Sequence, residues 1–117
     1  MNFTILGKIK PYVRMTQRSK FVDPQAQEYL ASKMAIGLQL KQQMAGQEMF
    51  PRVHLSTDIL FCGPDTHHAT RDLDNLVKAI HDSAQGIVYP DDCWIAELSA
   101  RRQEGPEYIT YMKVVLL

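Results

Sequence analysis

Asp72 and Asp74 stand two residues apart in the run Arg71-Asp72-Leu73-Asp74-Asn75-Leu76-Val77-Lys78, and a second acidic pair, Asp91-Asp92, follows one helix length later. Carboxylates spaced by two share a face on extended chain and diverge on a helix. The spacing therefore predicts that Asp72 is still extended and caps a helix, with Asp74 in the first turn, where the helix dipole favours an acid. Capping accounts for one aspartate, not for two and a distant pair. A compact return of the chain through Ile87-Val88-Tyr89 brings Asp91 and Asp92 toward the start of that helix. Carboxylates gathered so closely repel one another unless a cation sits among them. Oxygen-only ligation suits Mg²⁺, with Mn²⁺ as a substitute. Such an ion polarises a phosphoryl oxygen and acidifies bound water, as phosphodiester hydrolysis requires. Lys78, one turn after Asp74, either forms an ion pair with it, worth about 0.3 kcal/mol, or faces a phosphate.

The 117 residues carry no formal net charge, which by itself argues against a nucleic-acid partner. The zero is a sum of unlike parts. Lys8, Lys10, Arg14, Arg18 and Lys20 precede the first acid, Asp23, whereas residues 72–97 hold six acids against Lys78 alone. Cations that hold phosphate and carboxylates that hold a metal are the two needs of a nuclease. Arg71, beside the first aspartate, joins the basic residues as a DNA contact. No apolar run approaches the ~20 residues that span a bilayer, and the start of the chain lacks the pattern of a signal peptide, so a cytoplasmic protein without membrane contact is expected. Cys62 and Cys93 read as reduced thiols. A zinc site built from them with His67 and His68 fits poorly, because the histidines are adjacent and the cysteines far apart. No motif for a small-molecule cofactor is present.

The elements that must position these groups follow from periodicity. Residues 1–9 read as a strand with Phe3, Ile5 and Ile9 on one face, and residues 10–22 as a basic loop. Asp23-Pro24 starts a helix in which Ala26, Tyr29, Leu30, Met34, Leu38 and Met44 form the apolar stripe and Gly46 is the stop. Gly37 marks either a weak point or a close approach. Residues 52–62 alternate, with Val53, Leu55, Thr57, Ile59 and Phe61 on one side. A second helix over 73–85 carries Leu73, Leu76, Val77, Ile80 and Ala84. Residues 93–102, with Trp94, Ala96, Leu98 and Ala100 on one face, and residues 108–117 are predicted to pair as a hairpin. The order β-α-β-α-β-β describes a single α+β domain over residues 1–117, a mixed sheet packed by two helices.

The run from Arg71 to Lys78, then Asp82, then Gly86-Ile87-Val88-Tyr89-Pro90-Asp91-Asp92, resembles the signature of the RusA-type Holliday junction resolvases, crossover junction endodeoxyribonucleases of bacteria and their prophages. Lys10-Pro11-Tyr12-Val13-Arg14-Met15-Thr16, Phe21-Val22-Asp23-Pro24 and Tyr29-Leu30 match more loosely. The resemblance implies a homodimer that recognises four-way DNA junctions by shape and makes paired, Mg²⁺-dependent nicks in DNA recombination and repair. It assigns catalysis to Asp72, Asp74, Asp92 and Lys78, and metal binding to the same three aspartates with Asp91 as a fourth candidate. The chain departs from the pattern at 65–71, where His67-His68 stand in place of the arginines of some relatives, and at Cys93-Trp94. The apolar C-terminal run, residues 114–117, is one candidate for the dimer surface. The competing reading is a non-catalytic protein that binds branched DNA and uses its acidic cluster only structurally.

Overall fold

Four strands and two helices make up the computed structural model, which describes residues 1–14, 16, 23–64 and 72–117. In chain order they are β1 (Asn2–Leu6), α1 (Pro24–Met44), β2 (Leu55–Gly63), α2 (Leu73–Ala84), β3 (Ile95–Glu104) and β4 (Ile109–Leu116), with a short 3₁₀ turn, Asp92–Trp94, before β3. The β-α-β-α-β-β order and the mixed sheet are as the sequence predicts. The strands lie in the order β1-β4-β2-β3. β4 runs antiparallel to both neighbours, and β2 and β3 are parallel. Parallel neighbours need a long crossover, which α2 supplies.

Both helices cover one face of the sheet. Burial alternates without a break along β2, so Leu55, Thr57, Ile59 and Phe61 face the helices as the two-residue period predicts. Val53 lies before the strand and is exposed. Phe3 and Ile5 of β1 and Met112 and Val114 of β4 complete the sheet side of the core, against Tyr29, Ile36 and Leu40 of α1 and Leu76, Val77 and Ile80 of α2. Ile9 is buried too, but it lies beyond β1, past a turn at Gly7.

Three expectations change. β3 and β4 form no hairpin, because β2 lies between them. β2 has an apolar face and a half-buried one, which suits an interior strand. β3 carries Glu97, Ser99 and Arg101 on its outer side and suits an edge. Residues 105–108 therefore pass the end of β2, where the Gly105 N–H donates to the Gly63 carbonyl at 2.9 Å. Trp94 belongs to the 3₁₀ turn, and a register shift at the start of β3 leaves Ala96 outside the simple alternation. Finally, Met34 and Leu38 of α1 are 72% and 62% exposed. The buried row runs instead through Ala26, Tyr29, Ile36, Gly37, Leu40 and Met44. Gly37 explains the choice of face: a Cβ there would meet Ile87 Cδ1 at 3.2 Å and the Ser83 carbonyl at 3.7 Å, so it is the point of closest approach to the second helix region.

The start of α1 is as expected. Asp23 is extended and its carboxylate accepts the Gln25 N–H at 2.9 Å, with Pro24 opening the helix. The helix ends in left-handed Ala45 followed by Gly46.

Candidate active site

Helix α2 carries the first half of the site. Asp72 is its N-cap with extended backbone (φ −67°, ψ 128°), yet its side chain makes no capping hydrogen bond. Asp74 lies in the first turn and accepts the Asn75 N–H at 3.0 Å. Both are exposed. The apolar residues Leu76, Val77, Ile80 and Ala84 root the helix in the core, so Asp74 and Lys78 are held one turn apart, about 6 Å along the axis.

The second half arrives through a tight turn. Gly86, in a positive-φ conformation that favours glycine, donates to the Tyr89 carbonyl at 2.7 Å, and the Tyr89 hydroxyl donates to the His81 carbonyl at 3.1 Å. Residues 86–88 thus form a turn, and Tyr89 bridges back to Gln85. The Asp92 N–H donates to Gln85 Oε1 at 3.3 Å, which keeps the Asp92 backbone beside the end of α2 instead of carrying it back to the helix start. Asp91 caps the 3₁₀ turn, its carboxylate accepting the Cys93 N–H at 3.0 Å.

Asp74, Lys78 and Asp92 line one hollow of about 500 Å³, together with Leu73, Val77, His81, Leu98 and Ala100. Asp72 lies outside its lining. Among the described residues, no three His, Cys, Asp or Glu side chains are grouped closely enough to hold a metal ion. A larger hollow of about 800 Å³ lies between the end of α1 and residues 46–52; its lining is mostly apolar, and none of the predicted site residues reaches it.

Charge within the site is uneven. Burial first, and then the hydrogen bond with Asp91, push the Asp92 carboxyl above the ordinary range, and only Lys78 opposes them. Asp91 is held below its ordinary value by the Cys93 N–H and by Asp92. Lys78 does not pair with Asp74. Its ammonium lies 3.6 Å from Asp82 and 5.1 Å from the centre of the Tyr12 ring. Asp82 also accepts the Tyr29 hydroxyl at 2.9 Å, and Tyr12 packs edge-on to Tyr29 at 5.6 Å. Burial, with Asp82 second, raises the Tyr29 phenol well above its usual value, so it remains a donor. Sequence reasoning missed this set. The only signal was that Lys78 has an aspartate four residues away on each side, and spacing alone cannot choose between them. His81 was missed as well. It is buried, and its Nε2 is hydrogen-bonded to Thr57 Oγ1 at 3.0 Å.

Of the basic residues predicted to hold DNA, Lys8, Lys10 and Arg14 are among the described residues. The Tyr12 N–H donates to the Asn75 carbonyl at 3.1 Å, which lays the segment with Lys10 and Arg14 against the first turn of α2. Lys10 is 4.0 Å from Glu28, Arg14 is exposed, and Lys8 sits over the Tyr108 ring at 5.9 Å. Arg18, Lys20, Arg71, His67 and His68 lie outside the described residues. Cys62 and Cys93 are free thiols, and Trp94 packs tilted against His54 with ring centres 6.2 Å apart.

Compared with protein families, residues 2–113 match the model described as endodeoxyribonuclease RusA. The chain belongs to the RusA endodeoxyribonuclease family. A comparison with individual characterised proteins gave no match. For a RusA-family chain the donors present fit a hard divalent ion in kind: the carboxylates of Asp74 and Asp92 face one hollow, and those of Asp72 are not spent on capping. No helix among the described residues is long and apolar enough to cross a membrane.

Proposed function

We propose that this RusA-family protein is a structure-selective endodeoxyribonuclease that resolves four-way DNA junctions as a homodimer, in recombination and repair in the cytoplasm of a bacterium or for its prophage. The observation that carries the reading is the shared hollow of Asp74, Lys78 and Asp92, whose members come from chain segments 14 to 18 residues apart. Asp72, Asp74 and Asp92 would hold Mg²⁺, or Mn²⁺ in its place, with Asp91 positioning Asp92 or joining it. When bound, the ion supplies charge stabilisation at the scissile phosphate and acidifies water.

The chain's own residues do the rest. Lys78 lines the hollow, its ammonium is held by Asp82 and the Tyr12 ring beside it, and from there it would meet a phosphate oxygen. Lys8, Lys10 and Arg14, joined by Arg18, Lys20 and Arg71, hold DNA backbones and contribute affinity rather than sequence preference. Two copies related by a two-fold axis supply the pair of cuts that a four-way junction needs.

Asp74→Asn on a synthetic four-way junction tests the reading. Nicking falls about 100-fold or more while junction binding persists. Normal nicking by the variant ends the proposal. A wild-type protein that binds the junction and never nicks it in Mg²⁺ is the non-catalytic binder instead.

A further inference from the structure

The two edges of the sheet are finished differently. On β1, the outward backbone groups are taken by α1: Gln43 accepts from Thr4 N–H at 2.8 Å and donates to the Thr4 carbonyl at 2.6 Å, and Gln39 does the same at Leu6, at 2.8 and 3.0 Å. β3, at the other edge, has ten residues without glycine or proline, and among the described residues β2 is its one partner strand. Beside it lies apolar surface: Leu98 is 52% exposed, and Leu98 and Ala100 form one wall of the hollow. Long edges of this kind are normally blunted or covered.

We propose that the β3 edge receives a second copy of this chain, antiparallel, about a two-fold axis through Ser99. The inference deepens the homodimer of the preceding reading by naming its seam and register. Register with β2 sets Glu97, Ser99 and Arg101 on the outer face, beside Ser56, Asp58 and Leu60, and sets Leu98 and Ala100 on the helix side. An axis perpendicular to the sheet keeps each face with itself. With the axis at Ser99, Glu97 of each copy lies opposite the partner's Arg101, and Leu98 opposite the partner's Ala100. Both opposite-charge pairs form at once, and cross-strand pairs of this kind are the unit of sheet stabilisation. Moving the axis by one residue either way places Glu97 opposite Ser99 or Gln103 and loses both pairs. The charges that deter a foreign strand are therefore complementary to their own copy. Arg101 is already oriented on that face by Asp58, 3.7 Å away. The same register brings the partner's Arg102 opposite Ala96, close to the turn that holds Asp92.

The C-terminal run does not serve this purpose. β4 is paired on both sides and Val114 is fully buried, so only Leu116 and Leu117 are substantially exposed there.

Sedimentation velocity and disulfide trapping test the proposal without DNA or metal, so the outcome is independent of the nuclease reading. In a Cys62→Ser/Cys93→Ser background, Ser99→Cys places the two thiols directly opposite, at a Cα separation of roughly 5 Å that a disulfide spans. Mild oxidation traps most of the chain as a covalent dimer. Gln103→Cys places them roughly 27 Å apart along the seam and traps none. Glu97→Arg weakens self-association about tenfold. Adding Arg101→Glu, with Asp58→Asn removing the intrachain partner, restores it. A chain that sediments as a monomer at tens of micromolar overturns the proposal, as does a dimer in which the Ser99→Cys thiols fail to cross-link. Circular dichroism of each variant confirms that it is folded.

Discussion

Lys78 has Asp74 four residues before it and Asp82 four residues after, and the second holds it. On an isolated helix the acid that precedes the base is the better partner. The order reverses here because Tyr29 reaches across from α1 and fixes the Asp82 carboxylate with a 2.9 Å hydrogen bond. Asp74, which lines the same hollow as Lys78, is thereby left without an ion pair to the lysine. The i,i+4 spacing was legible in the sequence; the anchoring tyrosine, 53 residues away, was not. Tyr29→Phe should cost about 1 kcal/mol in urea denaturation. It should also loosen Lys78, seen as a shift of its side-chain NMR resonances. His81 gives a second prediction at this scale. Burial holds its imidazole down to about 4, against 6.5 when unfolded. A base whose folded pKa is depressed stabilises the fold while neutral, so the contribution is complete above pH 6.5 and is lost as pH falls from 6.5 toward 4. The loss is on the order of 3 kcal/mol. Stability of the wild type should fall more steeply across that window than that of His81→Gln, and equal slopes would remove His81 as the cause.

At the scale of elements, period and caps carried most of the information. Asp23-Pro24 marks the start of α1, the two-residue alternation of β2 names the residues that face the helices, and Asp72 is extended ahead of α2 as the spacing of the aspartates required. Pairing partners were not legible, because alternation says which side of a strand is buried and nothing about its neighbours. The predicted β3–β4 hairpin failed on that ground: a short connection suggested adjacency, and the more apolar β2 took the interior place. The stripe of α1 was misread by one row, since Leu30, Met34 and Leu38 keep helical spacing as well as the true row does. Gly37 was the residue that could have decided it, being small where Ile87 comes closest. The glutamine clasp on β1 was invisible in sequence, and it is testable. Gln39→Ala and Gln43→Ala should each destabilise by about 1 kcal/mol. Amide exchange should quicken at Leu6 in the first and at Thr4 in the second. Unchanged protection at both amides would show that the clasp contributes nothing in solution.

Across the whole molecule, the uneven charge of the sequence becomes a spatial arrangement. The described stretch with Lys10 and Arg14 is tied to the first turn of α2 by the Tyr12–Asn75 hydrogen bond, and Asp74 of that turn lines the hollow together with Asp92. A neutral total therefore conceals a basic segment near a carboxylate-bearing hollow. Arg14→Gln should weaken binding to junctions of differing sequence uniformly and lower the slope of log K against log salt by about 0.9. A sequence-dependent loss would move Arg14 from backbone holding to base reading.

The central claim is that Asp74 and Asp92 serve one divalent ion across that hollow. Mn²⁺ titration followed by electron paramagnetic resonance, on the wild type, Asp74→Asn, Asp92→Asn and the double variant, measures it without any DNA. The account predicts that each single change lowers affinity by about 10- to 100-fold and that the double change costs far less than the product of the two. Independent, multiplying effects, or a single variant that binds Mn²⁺ as the wild type does, would contradict it.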